Sequence, residues 1–360
     1  MLGDEQMRGV KKQDIRELGL DHLKKFFLEN GEKEYRAKQV YEWIWKKYTC
    51  SFADMTNLPK STRELLSEKF EILCAKISDV RISRDKTIKT LFEFHDGEKA
   101  EGVLIPSGSR ATACISTQVG CKLGCVFCAT SRIKFKRNIS APEIYDQVCM
   151  IRQQAKDQYN LSLTNIVYMG MGEPLLNYSN IIRSAGIITS AEGLGFSPSR
   201  ITVSTAGISK MIKRLGNDHV KFNLAVSLHS ADDKKRSSIM PVNKTNNIDS
   251  LIDSLKYYYS KTNNRITIEY SLIKNLNDSI PDAKDLVTFC RNFPCKINII
   301  DLNPVKGSKY TAASAERKKR FTEYLIKNKL IVNERRSRGQ DIKAACGQLI
   351  CSEKTSNKSQ

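Results

Sequence analysis

Three cysteines within eight residues, Cys121, Cys125 and Cys128, constrain this chain more than any other feature. They form a C-x3-C-x2-C triplet, with Phe127 directly before the last thiol. Three thiolates so close together are costly to bury unless a cation holds them. A structural zinc site normally takes four protein ligands. Here no close pair of Cys or His completes a ribbon or knuckle, and Cys114, seven residues upstream, falls in a strand-like segment. An iron–sulfur cluster on three thiolates, with one iron open to a small chelating ligand, fits the triplet better. Zinc and plain buried cysteines stand as the alternatives.

The wider composition narrows the class. No run of about 18 apolar residues exists, so no membrane-spanning helix is expected. The opening residues Met1 to Gln6 lack the basic-then-apolar pattern of a secretory signal. The expectation is a cytoplasmic, monomeric protein. Its eleven cysteines then sit in a reducing compartment, where metal binding or catalysis is expected over a disulfide framework. Lys+Arg 59 against Asp+Glu 39 gives a net charge of +20, which points to a polyanionic partner, nucleic acid first.

Residues 1–76 read as a helical accessory domain. Leu20, Leu23, Phe26, Phe27 and Leu28 recur at helical spacing, as do Val40, Trp43, Ile44 and Tyr48, and Pro59 opens a third helix with Leu65 and Leu66. Trp43, Trp45 and Tyr48 beside Lys46 and Lys47 suit either RNA contact or an ordinary small core. Residues 77–110 read as a β-hairpin bridge, with a strand from Thr87 to Phe94, a turn at Asp96-Gly97 and a return strand from Ala100 to Ile105. Residues 111–351 alternate strand and helix. Strands are expected at 113–117, 165–169, 200–205, 221–228, 265–272, 296–302 and 331–335. Ser140-Ala141-Pro142-Glu143 is a capping box at a helix start. The class is α/β, a mostly parallel sheet, open or curled into a partial barrel, with ligands at the C-terminal strand ends. Residues 352–360 read as a polar tail.

The strand ends carry the unusual sequences. Gly170-Met171-Gly172-Glu173-Pro174 follows one strand about 45 residues after the triplet; its glycines permit close backbone approach, and Glu173 offers a carboxylate to an ammonium group. Ser204, then Ser227-Leu228-His229, then Asn303 end three more strands. Near the C-terminus Cys346 lies among small residues in Ala344-Ala345-Cys346-Gly347-Gln348, which suits a buried small residue or a reactive thiol equally.

The triplet and the Gly-Glu-Pro element resemble those of radical S-adenosylmethionine (SAM) enzymes. The stretches from Arg110 to Cys121 and from Arg338 to Leu349 are similar to the RlmN/Cfr group of radical SAM RNA methyltransferases, and the resemblance runs in order through about residues 15 to 350. It implies a partial (β/α)6 radical SAM barrel with an N-terminal helical accessory domain. It implies a [4Fe-4S] cluster on Cys121, Cys125 and Cys128, and SAM held by Gly172, Glu173, Ser204, Ser227, Leu228, His229 and Asn303. Two SAM molecules per turnover are implied. One methylates Cys346. The other, cleaved by one electron from the cluster, yields a 5′-deoxyadenosyl radical that activates the Cys346 methyl group toward adenine C2. Cys114 is implied as the resolving thiol, through a transient disulfide with Cys346, and Glu101 as proton acceptor. Thiolates of lowered pKa suit these steps.

The implied substrates are 23S rRNA and tRNA, with flavodoxin or ferredoxin as electron donor. Three basic runs, Arg132/Lys134/Lys136/Arg137, Arg317 to Arg320 and Arg335 to Arg338, are expected to meet phosphates. The target base must be presented unstacked. The rival within the group is Cfr-type methylation of adenine C8; Pro174 after Glu173, where Cfr-type proteins tend to have Ala, favours C2. Rivals of other classes are a radical SAM activase and a non-enzymatic Fe–S RNA-binding module, neither of which explains Cys346 in its setting.

Overall fold

The structure, a computed structural model, describes residues 12–351. The chain start, where no leader is expected, and the expected tail at 352–360 lie outside the described residues. Two compact units divide the chain: one runs to Ala75 and takes in Gly186–Phe196, and the other comprises Lys76–Ala185 and the rest.

The first unit is helical where apolar spacing predicts it. Helix α1 (Leu20–Glu29) buries Leu23 and Phe27 and leaves Leu28 outside the core. Helix α2 (Tyr35–Tyr41) buries Ala37 and Val40 and continues into a wider turn, Glu42–Lys46, that buries Ile44 and Trp45. Helix α3 (Lys60–Lys69) starts after Pro59, whose fixed φ suits a helix entry. The two tryptophans differ. Trp45 is core, whereas Trp43 donates from Nε1 to Asn57 Oδ1 and has the Lys47 ammonium 3.5 Å from its ring centroid. Cys50 and Cys74 are joined in a disulfide, against the expectation of a reducing compartment. They flank α3, and the segments before and after it bring their Cα atoms to 5.9 Å, a proximity that linear spacing does not display.

The second unit is built on one ten-stranded sheet. Its strands are β1 (Lys76–Ile82), β2 (Ile88–Glu93), β3 (Lys99–Ser107), β4 (Arg110–Cys114), β5 (Leu163–Tyr168), β6 (Ile201–Thr205), β7 (Asn223–Ser227), β8 (Ile266–Leu272), β9 (Cys295–Asp301) and β10 (Val332–Arg335). They lie side by side in chain order. From β4 to β10 every pairing is parallel, and helices cross between the strands. This is the mostly parallel sheet expected from the β-α repeats, in the order that the radical SAM resemblance implies. Strands β1 to β4 pair antiparallel, so the expected hairpin is present as part of a meander continuous with the barrel sheet. Strand β1 was not foreseen: K-I-S-D-V-R-I is largely exposed and carries no burial pattern to read.

Alternation sets what faces inward. In β8, Ile268, Tyr270 and Leu272 pack in the apolar layer, while Glu269 and Ser271 line a cavity. In β6 and β7, Val203, Leu224 and Val226 are buried in the same layer, and Ser204 and Ser227 face the cavity. A period of two thus puts oil outside the barrel wall and polar groups within it. Helix α4 (Ala141–Tyr159) has the foreseen capping box, Ser140 with Glu143, and Pro142 in its first turn.

Candidate active site

The triplet loop follows β4 and is pinned on both sides. Val126 N–H donates to Ile239 O at 3.1 Å, and Ser131 Oγ lies 2.7 Å from both Cys125 O and Cys128 O. Leu123, Val126 and Phe127 pack against the buried cluster of Ile239, Met240 and Ile273, and the Phe127 ring meets His229 edge-on at 4.9 Å. The apolar side chains between the cysteines thus anchor the loop and leave three thiols on one cavity of about 180 Å³. Among the described residues no three ligands are drawn around a single point. Burial pushes the Cys121 thiol up to about 11 and Cys125 higher still, the neighbouring thiols adding to both. Without a metal the thiols of Cys121 and Cys125 are neutral, and a bound metal centre would favour their ionised form. The donor set fits a cluster that keeps one metal open.

Glu173 faces this cavity from the end of β5. Its Oε2 accepts from Ala206 N–H at 2.7 Å and its Oε1 from Leu175 N–H at 3.0 Å. Burial raises its pKa against these hydrogen bonds. Gly172 has φ +98°, and a Cβ there would lie 2.5 Å from Gln118 Cβ, so the turn admits glycine alone. Ser204, Ser227, His229 and Asn303 line the same cavity. Leu228 does not: its side chain is fully buried, and its backbone bonds to Glu269 and Arg236. His229 stands at φ +55°. Its Nδ1 accepts from Ser271 N–H at 3.0 Å, and burial beside Arg236 depresses its pKa to about 3, so the ring is neutral.

Arg236, which no motif singles out, ties these strand ends together. It is wholly buried and donates to Ala206 O at 2.6 Å, Asn243 Oδ1 at 2.6 Å and Leu228 O at 3.1 Å. Burial lowers its pKa to about 10, with Cys125 and Asp233 opposing, so it stays charged at neutral pH.

Cys346 lies where this cavity meets a second of about 100 Å³; it lines both, and Cys114 lines the second. Asn303 Nδ2 donates to Cys346 O at 3.1 Å, which fixes the backbone and leaves the thiol toward open space. The thiols are not acidified as expected. Burial pushes Cys114 up to about 12, with Cys346 adding and Arg335 opposing; Cys346 opens on the cavity, yet the protein around that cavity desolvates its thiolate and raises it too, against Arg335. Desolvation outweighs the single nearby cation. Glu101 is brought to neither cavity. It is 2 % exposed, pairs with Lys89 at 2.9 Å and accepts Ile350 N–H at 2.9 Å.

Comparison with known proteins places this geometry. Residues 13–72 match the ribosomal RNA large subunit methyltransferase N-terminal domain, and residues 115–287 match the radical SAM superfamily. The chain is 51% identical over 344 residues to a probable dual-specificity RNA methyltransferase RlmN of Cytophaga hutchinsonii, covering 96% of this chain and 94% of that one. It is 43% identical to the dual-specificity RNA methyltransferase RlmN of Geobacter sulfurreducens, covering 93% and 91%. The chain belongs to the RlmN family. A crystal structure of a radical SAM methyltransferase from Sphaerobacter thermophilus superposes with a TM-score of 0.88 at 38% identity, covering 94% of this chain and 99% of that one. As an RlmN-family member it is a SAM-dependent RNA methyltransferase, and the family implies a [4Fe-4S] cluster and SAM.

Besides Arg236, the pairing of two charged residues in this RlmN-family site has no signal in sequence spacing. Glu269, on β8, accepts Asn298 Nδ2 at 2.8 Å and pairs with Arg335 at 3.5 Å, and both line the main cavity. Arg335, expected to meet phosphate with its neighbours, is instead turned toward the cavity by strand alternation. The other basic runs are also partly engaged. Arg137 pairs with Asp96 at 2.6 Å and Glu143 at 2.8 Å, Arg317 with Asp278 at 2.8 Å and Lys318 with Asp301 at 2.9 Å. Carboxylates distant in sequence fill roles that a run of bases suggests for RNA. The polar Glu269 within I-T-I-E-Y-S-L was the signal available for the inner face.

Proposed function

We propose that this chain methylates carbon C2 of an adenosine in 23S rRNA, at the peptidyl-transferase centre, and of the adenosine 3′ to the anticodon in tRNA, by way of an S-methyl group on Cys346. The observation that carries the reading is Cys346 itself, a thiol at the junction between the triplet's cavity and that of Cys114. Adenine C2 is an electron-poor ring carbon and a poor acceptor for a methyl cation, so the carbon must arrive by another route. Cys121, Cys125 and Cys128 would hold the cluster, which with SAM supplies one-electron chemistry to activate the methyl group; flavodoxin or ferredoxin would be the electron source.

The chain's own residues have distinct parts. Glu173 accepts the SAM ammonium, and Gly172 lets the backbone approach. Ser204, Ser227, His229 and Asn303 line the SAM space, and Leu228 is buried behind it. The Cys346 thiol, once deprotonated, takes a methyl group from one SAM; a second SAM is used in activation. Activation would remove one hydrogen atom from that methyl group, and the carbon would then bond to adenine C2 while still on the Cys346 sulfur, the adduct's surplus electron returning to the cluster. Cys114, deprotonated, attacks that sulfur; the carbon–sulfur bond breaks with its electron pair passing to the carbon, which takes up a proton to become the methyl group, and the Cys114–Cys346 disulfide that remains is reduced by the electron source before the next turnover. The ring proton at C2 leaves to a base, for which the family resemblance offers Glu101. Arg335 favours the ionised thiols, in opposition to burial.

The test is a pair of variants in anaerobic turnover with SAM and RNA. Cys114→Ala accumulates an RNA–protein adduct through Cys346, and Cys346→Ala gives neither adduct nor methylated RNA. A Cys114→Ala protein that frees product normally would remove the resolving role.

A further inference from the structure

The segment 339–351 that carries Cys346 is a strap held along both sides. Toward the barrel, Ala129 N–H donates to Gly347 O at 2.7 Å, Thr130 Oγ1 to Leu349 O at 2.8 Å and Gln348 Nε2 to Pro304 O at 2.9 Å. Toward the meander, Gly339 N–H donates to Asp85 Oδ2 at 2.9 Å, and Asp341 accepts from Ser83 Oγ at 2.6 Å and Arg84 N–H at 3.1 Å. Between these ends lies a buried ion pair. Lys89 on β2 and Glu101 on β3 are 2.9 Å apart, each side chain 3% exposed. Lys89 is paired across the strands with Val103, so Glu101 is its diagonal neighbour on the same face. Both members reach the strap: Lys89 Nζ donates to Lys343 O at 3.4 Å and Glu101 Oε2 accepts Ile350 N–H at 2.9 Å.

We infer that Lys89 and Glu101 are positioning residues that clamp the strap on either side of Cys346 and so set where its methyl group is carried. A buried ion pair is a weak source of net stability, because desolvating two charges offsets their attraction. What it does supply is geometry. The two contacts fall at Lys343 and Ile350, three residues before and four residues after Cys346. A carrier thiol that must meet a methyl donor on one side and Cys114 on the other needs its backbone held while its side chain turns. Misplacement by about 1 Å is enough to cost on the order of 100-fold in such a step. This rests on the carrier role proposed for Cys346, and it gives Glu101 a part that needs no direct contact with substrate.

The test uses the full-length, cluster-loaded chain with Lys89→Met, Lys89→Arg, Glu101→Gln and the double variant Lys89→Met/Glu101→Met. Amide exchange over 339–350, S-methylation of Cys346 by mass spectrometry, and kcat and KM for RNA are read together. Lys89→Met is expected to speed strap exchange and lower kcat and Cys346 methylation by about tenfold or more, with KM changed by less than about threefold. Lys89→Arg restores most of the loss. Glu101→Gln keeps an oxygen for Ile350 N–H, so it retains at least about a tenth of wild-type kcat. Should Lys89→Met fold poorly, the apolar double variant keeps the packing and still loosens the strap. Unchanged strap exchange in both Lys89→Met and the double variant overturns the clamp. So does an inactive Glu101→Gln with normal strap exchange, which would return Glu101 to direct proton transfer. An active Cys346→Ala would sink the carrier reading instead, a different failure that strap exchange does not register.

Discussion

Replacing Glu173 by Gln tests the SAM site where its geometry is best defined. Two backbone donors, Ala206 N–H at 2.7 Å and Leu175 N–H at 3.0 Å, already aim at the two carboxylate oxygens. The amide of Gln keeps one oxygen, and its NH2 must then face one of these donors. A hydrogen bond to a charged acceptor contributes about 1.5–3 kcal/mol. Its loss on folding lowers the melting temperature by on the order of 5 °C. The ammonium of SAM loses its anionic partner in the same substitution, and the same energy range raises the SAM dissociation constant by about 10- to 150-fold. The assay is equilibrium dialysis of labelled SAM against anaerobic protein matched for iron content, with melting curves alongside. A Glu173→Gln protein that melts lower but binds SAM within about twofold of wild type would show that Glu173 supports the fold alone.

Two further outcomes concern the frame around that site. Arg236→Lys leaves about two of three buried acceptors without a donor, a loss of about 2–6 kcal/mol that chemical denaturation would register; unchanged stability would mean that Ala206 O, Leu228 O and Asn243 find other donors. His229 has a folded pKa depressed to about 3, against about 6.5 unfolded. Its contribution is therefore complete above about 6.5 and is lost as pH falls toward 3, because the unfolded ring takes up the proton first. At pH 5 the loss is about 2 kcal/mol. Denaturation of wild type between about pH 7.5 and 5 should slope more steeply than that of His229→Asn, a residue that tolerates the left-handed backbone there; equal slopes would refute the assignment.

How much was legible in sequence follows from the range of the interaction. The barrel was readable because alternation and helix caps are local: strands at 201–205 and 266–272, and the Ser140–Glu143 box, lie where the pattern predicts them. The triplet and the Gly-Glu-Pro turn were readable because their chemistry needs residues close in sequence. What escaped depends on partners far apart in the chain. Arg335 meets Glu269 across 66 positions, Arg137 meets Asp96 across 41, and Ile350 meets Glu101 across 249. Single-sequence spacing carries no trace of such pairings, so charges that look solvated or phosphate-bound prove to have partners within the protein. Glu101 shows this best: a hairpin glutamate is usually exposed, and here a strap from the other end of the chain covers it.

The most direct measurement of the central claim is nucleoside mass spectrometry. Unmodified 23S rRNA and tRNA are incubated anaerobically with the cluster-loaded protein, a reductant and SAM carrying a deuterated methyl group, then digested and compared with authentic standards. The account predicts labelled 2-methyladenosine from both RNAs, dependent on Cys346. Labelled 8-methyladenosine, or labelled 2-methyladenosine formed by Cys346→Ala, would contradict it.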